Sequence, residues 1–434
     1  MASSTPTTNI KTTTDWFRSA APYIHAHRGA TFVIALDGNT VADEGFSSLI
    51  HDIALLNSLG IKLIITFGAR QQIATACEAA GVVTEYHQDL RVTDDASLAI
   101  AINVIGTLKT QIQAQFSFGL PNTSMSDAKI RCTSGNFITA QPMGIKEGID
   151  FQHTGKVRKV DIEGIQAQLE QENIVLLGPL GYSSTGEVFN LSSEAIATEV
   201  AIKMKADKLI FIGDMAVDIA RELTLPQAKE LLETDSNHLL LSATTACDAG
   251  VNRVHLIDRS LDGALLQELF SHDGVGTLVS KNPFENTRPA TEHDIGGILE
   301  LIEPLEVNGT LVHRSREHLG SEIEFFTVME RDNSIIACAA LYHYPDCDTA
   351  ELACLAVAPS YRDAGRGEYL FKNVESQARE AGVTNLCVLT TQSSHWFLEH
   401  GFKEAAIDEL PMEKQALYNY QRNAKVFKKV LGNT

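Results

Sequence analysis

The stretch "LAVAPSYRDAGRGE" (Leu355–Glu368) sets an apolar run, a proline turn, two arginines and two glycines ahead of a helical pattern, Tyr369–Gly382. The run "ELACLAV" (Glu351–Val357) reads as a buried strand, so the stretch is a strand-to-helix turn. Glycines let such a turn close around a ligand, and the helix aims its free N–H groups and positive dipole end into it. That arrangement binds phosphate, and Arg362 and Arg366 can add charge-assisted bonds to a diphosphate. A strand that splays before the turn can offer backbone groups to a pantetheine-like arm. Glu351 begins this strand and is a candidate general base; its alternative reading is a solvated strand-edge carboxylate. The lone R-x-x-G-x-G motif also fits an ordinary glycine turn before a surface helix.

Alternating strands and helices must position this loop. Thr31–Leu36, Ile61–Phe67, Asn173–Pro179, Lys208–Gly213 and Arg253–Asp258 read as apolar strands, and Asp15–His27, Phe46–Gly60, Ser192–Ala206 and Asp262–Phe270 as helices. Strands this apolar are covered on both faces, which predicts an α/β fold: an αβα sandwich with a mostly parallel sheet. The rhythm breaks in the polar, proline-containing Val279–Thr291. We therefore expect a flexible tail (1–14), a first domain (15–284) and a second (287–434).

At 434 residues the chain can bury more than one core. Its formal charge of -20, from 55 acidic and 35 basic residues, argues against nucleic-acid binding, and no apolar run approaches the roughly 20 residues of a membrane span. Seven cysteines without a C-x-x-C pair give no disulfide framework or zinc spacing, so we expect reduced thiols, a cytoplasmic protein and no metal.

After the loop helix come "LCVLTT" (Leu386–Thr391) and "SSHWFLEHGF" (Ser393–Phe402), a strand, a short aromatic helix and a Gly-Phe turn. Motif and order together resemble the GNAT family of acetyl-CoA-dependent N-acetyltransferases, from about Thr287 onward. The resemblance implies a GNAT α/β domain that holds acetyl-CoA through Leu355, Ala356, Val357, Arg362, Asp363, Gly365, Arg366, Gly367 and Glu368. Amides near Leu355–Val357 are then placed to stabilise an oxyanion, with Glu351 as base and Thr390 positioning the amine or its water. The preceding segment resembles the amino-acid kinase family. Taken with "RVTD" (Arg91–Asp94), "DGALLQELFSHDGVGT" (Asp262–Thr277) and "LYNYQRNAKV" (Leu417–Val426), the chain resembles the bacterial N-acetylglutamate synthase family. This implies acetyl transfer to the α-amine of L-glutamate, the first step of arginine biosynthesis, with feedback by L-arginine and a homo-oligomer, a hexamer.

A dicarboxylate acceptor needs a locally basic pocket, and Arg314, Arg316, Lys414 and Arg422 are the candidates; Lys425, Lys428 and Lys429 read as a solvated face. By the same resemblance the effector contacts Tyr23, Lys208, His255, Glu268 and Gly274. Each alone also reads as a structural residue. The kinase pattern itself is broken. Ala35-Leu36-Asp37-Gly38 stands where such kinases carry a lysine ahead of paired glycines, "FGAR" (Phe67–Arg70) shortens the second loop, and Ser192 replaces the carboxylate of Asn-x-Asp. A carboxylate set against phosphate oxygens inverts the electrostatics of phosphoryl transfer, so we expect no kinase activity.

Overall fold

The computed structural model describes residues 7–431 except 88–89, 119–129, 216–218, 235–236, 272–273, 282–284, 332–333, 363–364 and 421. The chain divides into two compact units, Met1–Asn282 and Pro283–Thr434.

In the first unit, α1 (Thr7–His27), β1 (Thr31–Leu36), α2 (Phe46–Ser58) and β2 (Lys62–Phe67) open the alternation. Then follow α3 (Arg70–Ala79), α4 (Asp95–Phe118), β3 (Cys132–Thr133), β4 (Ile174–Leu177), α5 (Ser193–Met204), β5 (Lys208–Gly213) and β6 (Glu222–Thr224). Last come α6 (His238–Asp248), β7 (Arg253–Asp258), α7 (Ala264–Phe270) and β8 (Thr277–Ser280). The sheet runs β6-β8-β7-β5-β1-β2-β4-β3, parallel except where β8 meets β7. Successive side chains of β1 feed opposite cores: Val33 packs with Val175, Leu209 and Val254, whereas Phe32 and Ile34 pack with Ile65 and Ile210. This two-faced burial is what the uninterrupted apolar strands dictate. The helix expected from Asp15 begins at Thr7, so residues 7–14, read as tail, are helical. Their threonine-rich composition gives a weak local helix signal; residues 1–6 lie outside the described residues.

The second unit contains β9 (Asn286–Pro289), α8 (Ile295–Val307), α9 (Arg316–Ser321), β10 (Phe326–Arg331), β11 (Ser334–Tyr344) and β12 (Thr349–Val357). It continues with α10 (Arg366–Glu380), β13 (Asn385–Thr390), α11 (Ser394–Glu399), β14 (Lys403–Ala405), α12 (Met412–Ala416) and β15 (Lys425–Val430). Its sheet runs β9-β10-β11-β12-β13-β15-β14. One face packs Leu352 and Phe427 against Leu370 and Phe371 of α10, the other Val328 and Cys338 against Ile298 and Ile302 of α8.

Two irregularities shape this sheet. The parallel pair β12–β13 is bonded only from Thr349–Glu351 to Asn385–Cys387. Past Glu351, β12 follows β11 to Val357 while β13 stays with β15 to Thr390, and the strands part. In addition, Cys338 pairs with Ala356 and Ala340 with Ala353, so Ala339 alone opposes Cys354 and Leu355. This is a β-bulge, with Cys354 at φ +53°.

Candidate active site

The parted strands and the loop before α10 converge. Gly365 sits at φ +72°, a left-handed geometry that costs glycine nothing, and caps α10. The first intrahelical bond at this end runs from Tyr369 N to Gly365 O, so the amides of Arg366, Gly367 and Glu368 precede the helical ladder. Beyond the bulge, Leu355–Val357 lead directly into this cradle. Arg362 is exposed, its Nε donating to Val357 O at 3.2 Å. Arg366 is turned elsewhere: its Nε and Nη2 donate to Glu285 Oε1 at 2.6 and 2.5 Å, and its guanidinium lies 5.4 Å from the Tyr361 ring centre. Glu368 pairs with Lys372 one turn on, at 2.6 Å. Asp363 lies outside the described residues. Gly365 and Gly367 with the amides, more than the arginine side chains, are therefore the groups free to receive an anion at this helix start.

Glu351 sits where β12 leaves β13 and is only 4% exposed. Its Oε2 accepts from Lys414 Nζ at 2.8 Å and from the Tyr344 hydroxyl at 3.2 Å. Burial, then the Glu351 charge, push the Tyr344 phenol well above its ordinary range. Burial, again reinforced by Glu351, pushes the Cys387 thiol up to about 12, so it stays protonated. Thr390 is buried and its Oγ1 accepts from Ser393 N at 2.9 Å and Gln392 N at 3.3 Å, fixing the turn into α11.

Among the described residues of the second unit, two buried side-chain polar atoms have no hydrogen-bond partner: the Nε atoms of Arg314 and Arg422. Arg314 is anchored by its own N–H to Glu306 Oε1 at 2.9 Å, and Arg422 Nη2 donates to Thr310 O. Burial, then the positive charge of Arg314, hold the Arg422 guanidinium below its ordinary value. Two half-buried like charges near enough to oppose each other, each with a buried Nε left without a partner, suit an incoming carboxylate. Arg316 is exposed at the start of α9 and has no such setting, and Lys414 is bonded to Glu351 instead. Sequence reasoning missed Tyr344, Glu285 and Glu306. Tyr344 shares a hairpin with Glu351, through the Tyr344–Thr349 pair, and that register was the one signal available.

In the first unit the altered kinase positions line a cavity of about 620 Å³ with Asp37, Gly38, Gly68, Arg70, Asn190 and Ser192. Asp37 accepts from Thr40 N at 2.6 Å and Ser192 from Ala195 N at 3.1 Å, so both act as helix caps. Of the residues expected at the effector site, Lys208, His255 and Glu268 form a buried chain. Lys208 Nζ donates to His255 Nε2 at 3.2 Å, and His255 Nδ1 donates to Glu268 Oε1 at 2.6 Å. Burial, then Lys208, depress His255 to about 4, so its ring is neutral and links cation to anion. Burial alone raises Glu268, but the bond from His255 and the amides of Gly276 and Val275 outweigh it and leave the carboxyl at about 2. Those amides reach Oε2 at 2.8 and 2.7 Å, and a Cβ on Gly274 (φ +57°) comes within 2.5 Å of it. Tyr23 lies one turn from His27, whose Nε2 meets Leu269 O of α7 at 3.0 Å.

A bulged, parted sheet that ends in a glycine loop at a helix start defines an acyl-CoA-dependent N-acyltransferase unit, here carried with a kinase-like αβα unit. Residues 30–258 match the amino acid kinase family and residues 298–402 the acetyltransferase (GNAT) family. Amino-acid acetyltransferases of Photobacterium profundum and Vibrio atlanticus are 50% and 49% identical, each match covering 94% of this chain and 96% of the relative. The crystal structure of N-acetylglutamate synthase from Neisseria gonorrhoeae complexed with coenzyme A and L-arginine superposes with TM-score 0.89 at 36% identity, covering 97% and 99% of the two chains. The same enzyme complexed with coenzyme A and N-acetyl-glutamate gives 0.61. The chain belongs to the amino-acid acetyltransferase family, and it is an acetyl-CoA-dependent acyltransferase.

Proposed function

We propose that the second unit transfers the acetyl group of acetyl-CoA to the α-amine of L-glutamate and that L-arginine, bound in the first unit, inhibits it. The observation that carries the acceptor reading is the pair of unspent, buried Nε donors on Arg314 and Arg422. Glutamate brings two carboxylates, and arginine pairs match them in charge and angle. The amide cradle at Gly365–Glu368 takes the diphosphate, and the edge of β12 exposed beyond Glu351 takes the pantetheine arm.

Glutamate arrives as an ammonium and attacks only after losing a proton, which Glu351 accepts. Nitrogen adds to the thioester carbonyl, and the oxygen takes up negative charge beside the bulged amides near Leu355. When the C–S bond breaks the thiolate departs, and the second proton leaves the new amide nitrogen. Tyr344, protonated and hydrogen-bonded to Glu351, helps fix the base, and Thr390 shapes the turn beside it. Asp37 and the capping role of Ser192 support a first unit without phosphoryl transfer. All seven cysteines are unpaired, which supports a reducing, cytoplasmic setting; by family resemblance the chain assembles as a hexamer.

The test is direct. Purified protein with acetyl-CoA releases free thiol and forms N-acetylglutamate when L-glutamate is added, and L-arginine slows both. Absence of thiol release with glutamate would overturn the acceptor assignment, and indifference to L-arginine the effector assignment.

A further inference from the structure

The side chain that a base must greet is already matched inside the protein. Lys414 Nζ lies 2.8 Å from Glu351 Oε2, the distance and charge a substrate ammonium needs for proton transfer. The Glu351 side chain is 5% exposed, and the same oxygen also takes the Tyr344 hydroxyl. A second ammonium brought to this carboxylate meets direct like-charge repulsion. Lys414, by contrast, is 25% exposed and belongs to a five-residue helix whose neighbours Met412 and Leu417 are 86% and 76% exposed. It has a long flexible stem and water to withdraw into.

We propose that Lys414 is an internal stand-in for the acceptor's ammonium: it neutralises Glu351 until an α-ammonium takes its place, so that the base becomes competent only when an acceptor is bound. Lys414 is then a specificity-determining residue that tests for a cationic amine, not a ligand of the acceptor's carboxylates. This rests on the proposed glutamate acetylation and on Glu351 as its base. A second consequence concerns water. With Lys414 withdrawn and no acceptor present, Glu351 is free to take a proton from water. The water oxygen then adds to the acetyl carbon, the C–S bond breaks, and acetate and CoA thiolate form. Lys414 suppresses this loss of thioester.

The test compares full-length wild type with Lys414→Met and Lys414→Arg, assayed by thiol release with and without glutamate. The proposal expects Lys414→Met to lower KM for glutamate several-fold, leave KM for acetyl-CoA unchanged, and raise glutamate-independent thiol release several-fold. Lys414→Arg, which keeps the charge, shifts KM for glutamate and glutamate-independent thiol release less than Lys414→Met does. A raised or unaltered KM for glutamate in Lys414→Met overturns the proposal, as does a Lys414→Arg enzyme as altered as Lys414→Met. Either result, obtained with a wild type that acetylates glutamate, leaves the proposed reaction standing; a wild type inactive toward glutamate removes the reaction itself.

Discussion

The arginine pair makes the sharpest residue-level demand. Replacing Arg314 by Ala deletes one carboxylate partner and leaves a buried anion uncompensated, a loss of about 2 kcal/mol. KM for glutamate should therefore rise roughly 30-fold while KM for acetyl-CoA holds, and steady-state kinetics with each substrate varied in turn checks the split. Glu268→Gln should raise the arginine concentration for half-inhibition at least tenfold and preserve turnover; inhibition curves with unchanged midpoints would remove Glu268 from the effector site. Arg314 and Arg422 were candidates from chemistry alone, since a dicarboxylate calls for arginines, and the fold leaves the Nε of each without a partner. The bond between Lys414 and Glu351 was not, because it joins residues far apart in sequence through the path of the chain after β14. Nor could sequence say that Arg366 spends its charge on Glu285.

At the scale of elements, the cradle depends on one backbone conformation. A valine at Gly365 is forced to φ +72°, at a cost of about 1–2 kcal/mol that is avoided only by distorting the loop. Gly365→Val should thus raise KM for acetyl-CoA about tenfold or more with KM for glutamate nearly constant; isothermal titration with CoA measures the same loss without turnover. The loop, the αβα sandwich and the strand–helix order were legible because apolar runs and glycine stops report local geometry. The bulge at Cys354 and the parting of β12 from β13 were not, since a left-handed cysteine carries no compositional mark and strand separation depends on pairing with β11 and β15. Helix α1 begins earlier than expected because its threonine-rich first turns carry only a weak local helix signal.

For the molecule as a whole, the buried histidines set the response to acid. Burial, then Lys208, hold both His27 and His255 near 4, below the 6.5 of the unfolded chain. Unfolding therefore takes up protons, so the stability they contribute is full above about pH 6.5 and falls away toward pH 4. Glu268, held at about 2 against 4.5, adds a further loss between about pH 4.5 and 2. Thermal midpoints of the full chain should fall steadily from pH 6.5 to 4, and less steeply in His27→Gln; a flat profile over that span would contradict the burial of neutral rings. The same buried chain dictates how any guanidinium can enter. Both oxygens of Glu268 are already engaged, by His255 on one side and the Val275 and Gly276 amides on the other. Oε1 takes one of these bonds and Oε2 two, so a newcomer can add a single bond and must displace His255 or an amide to make a second, which ties its seating to the movement of those groups.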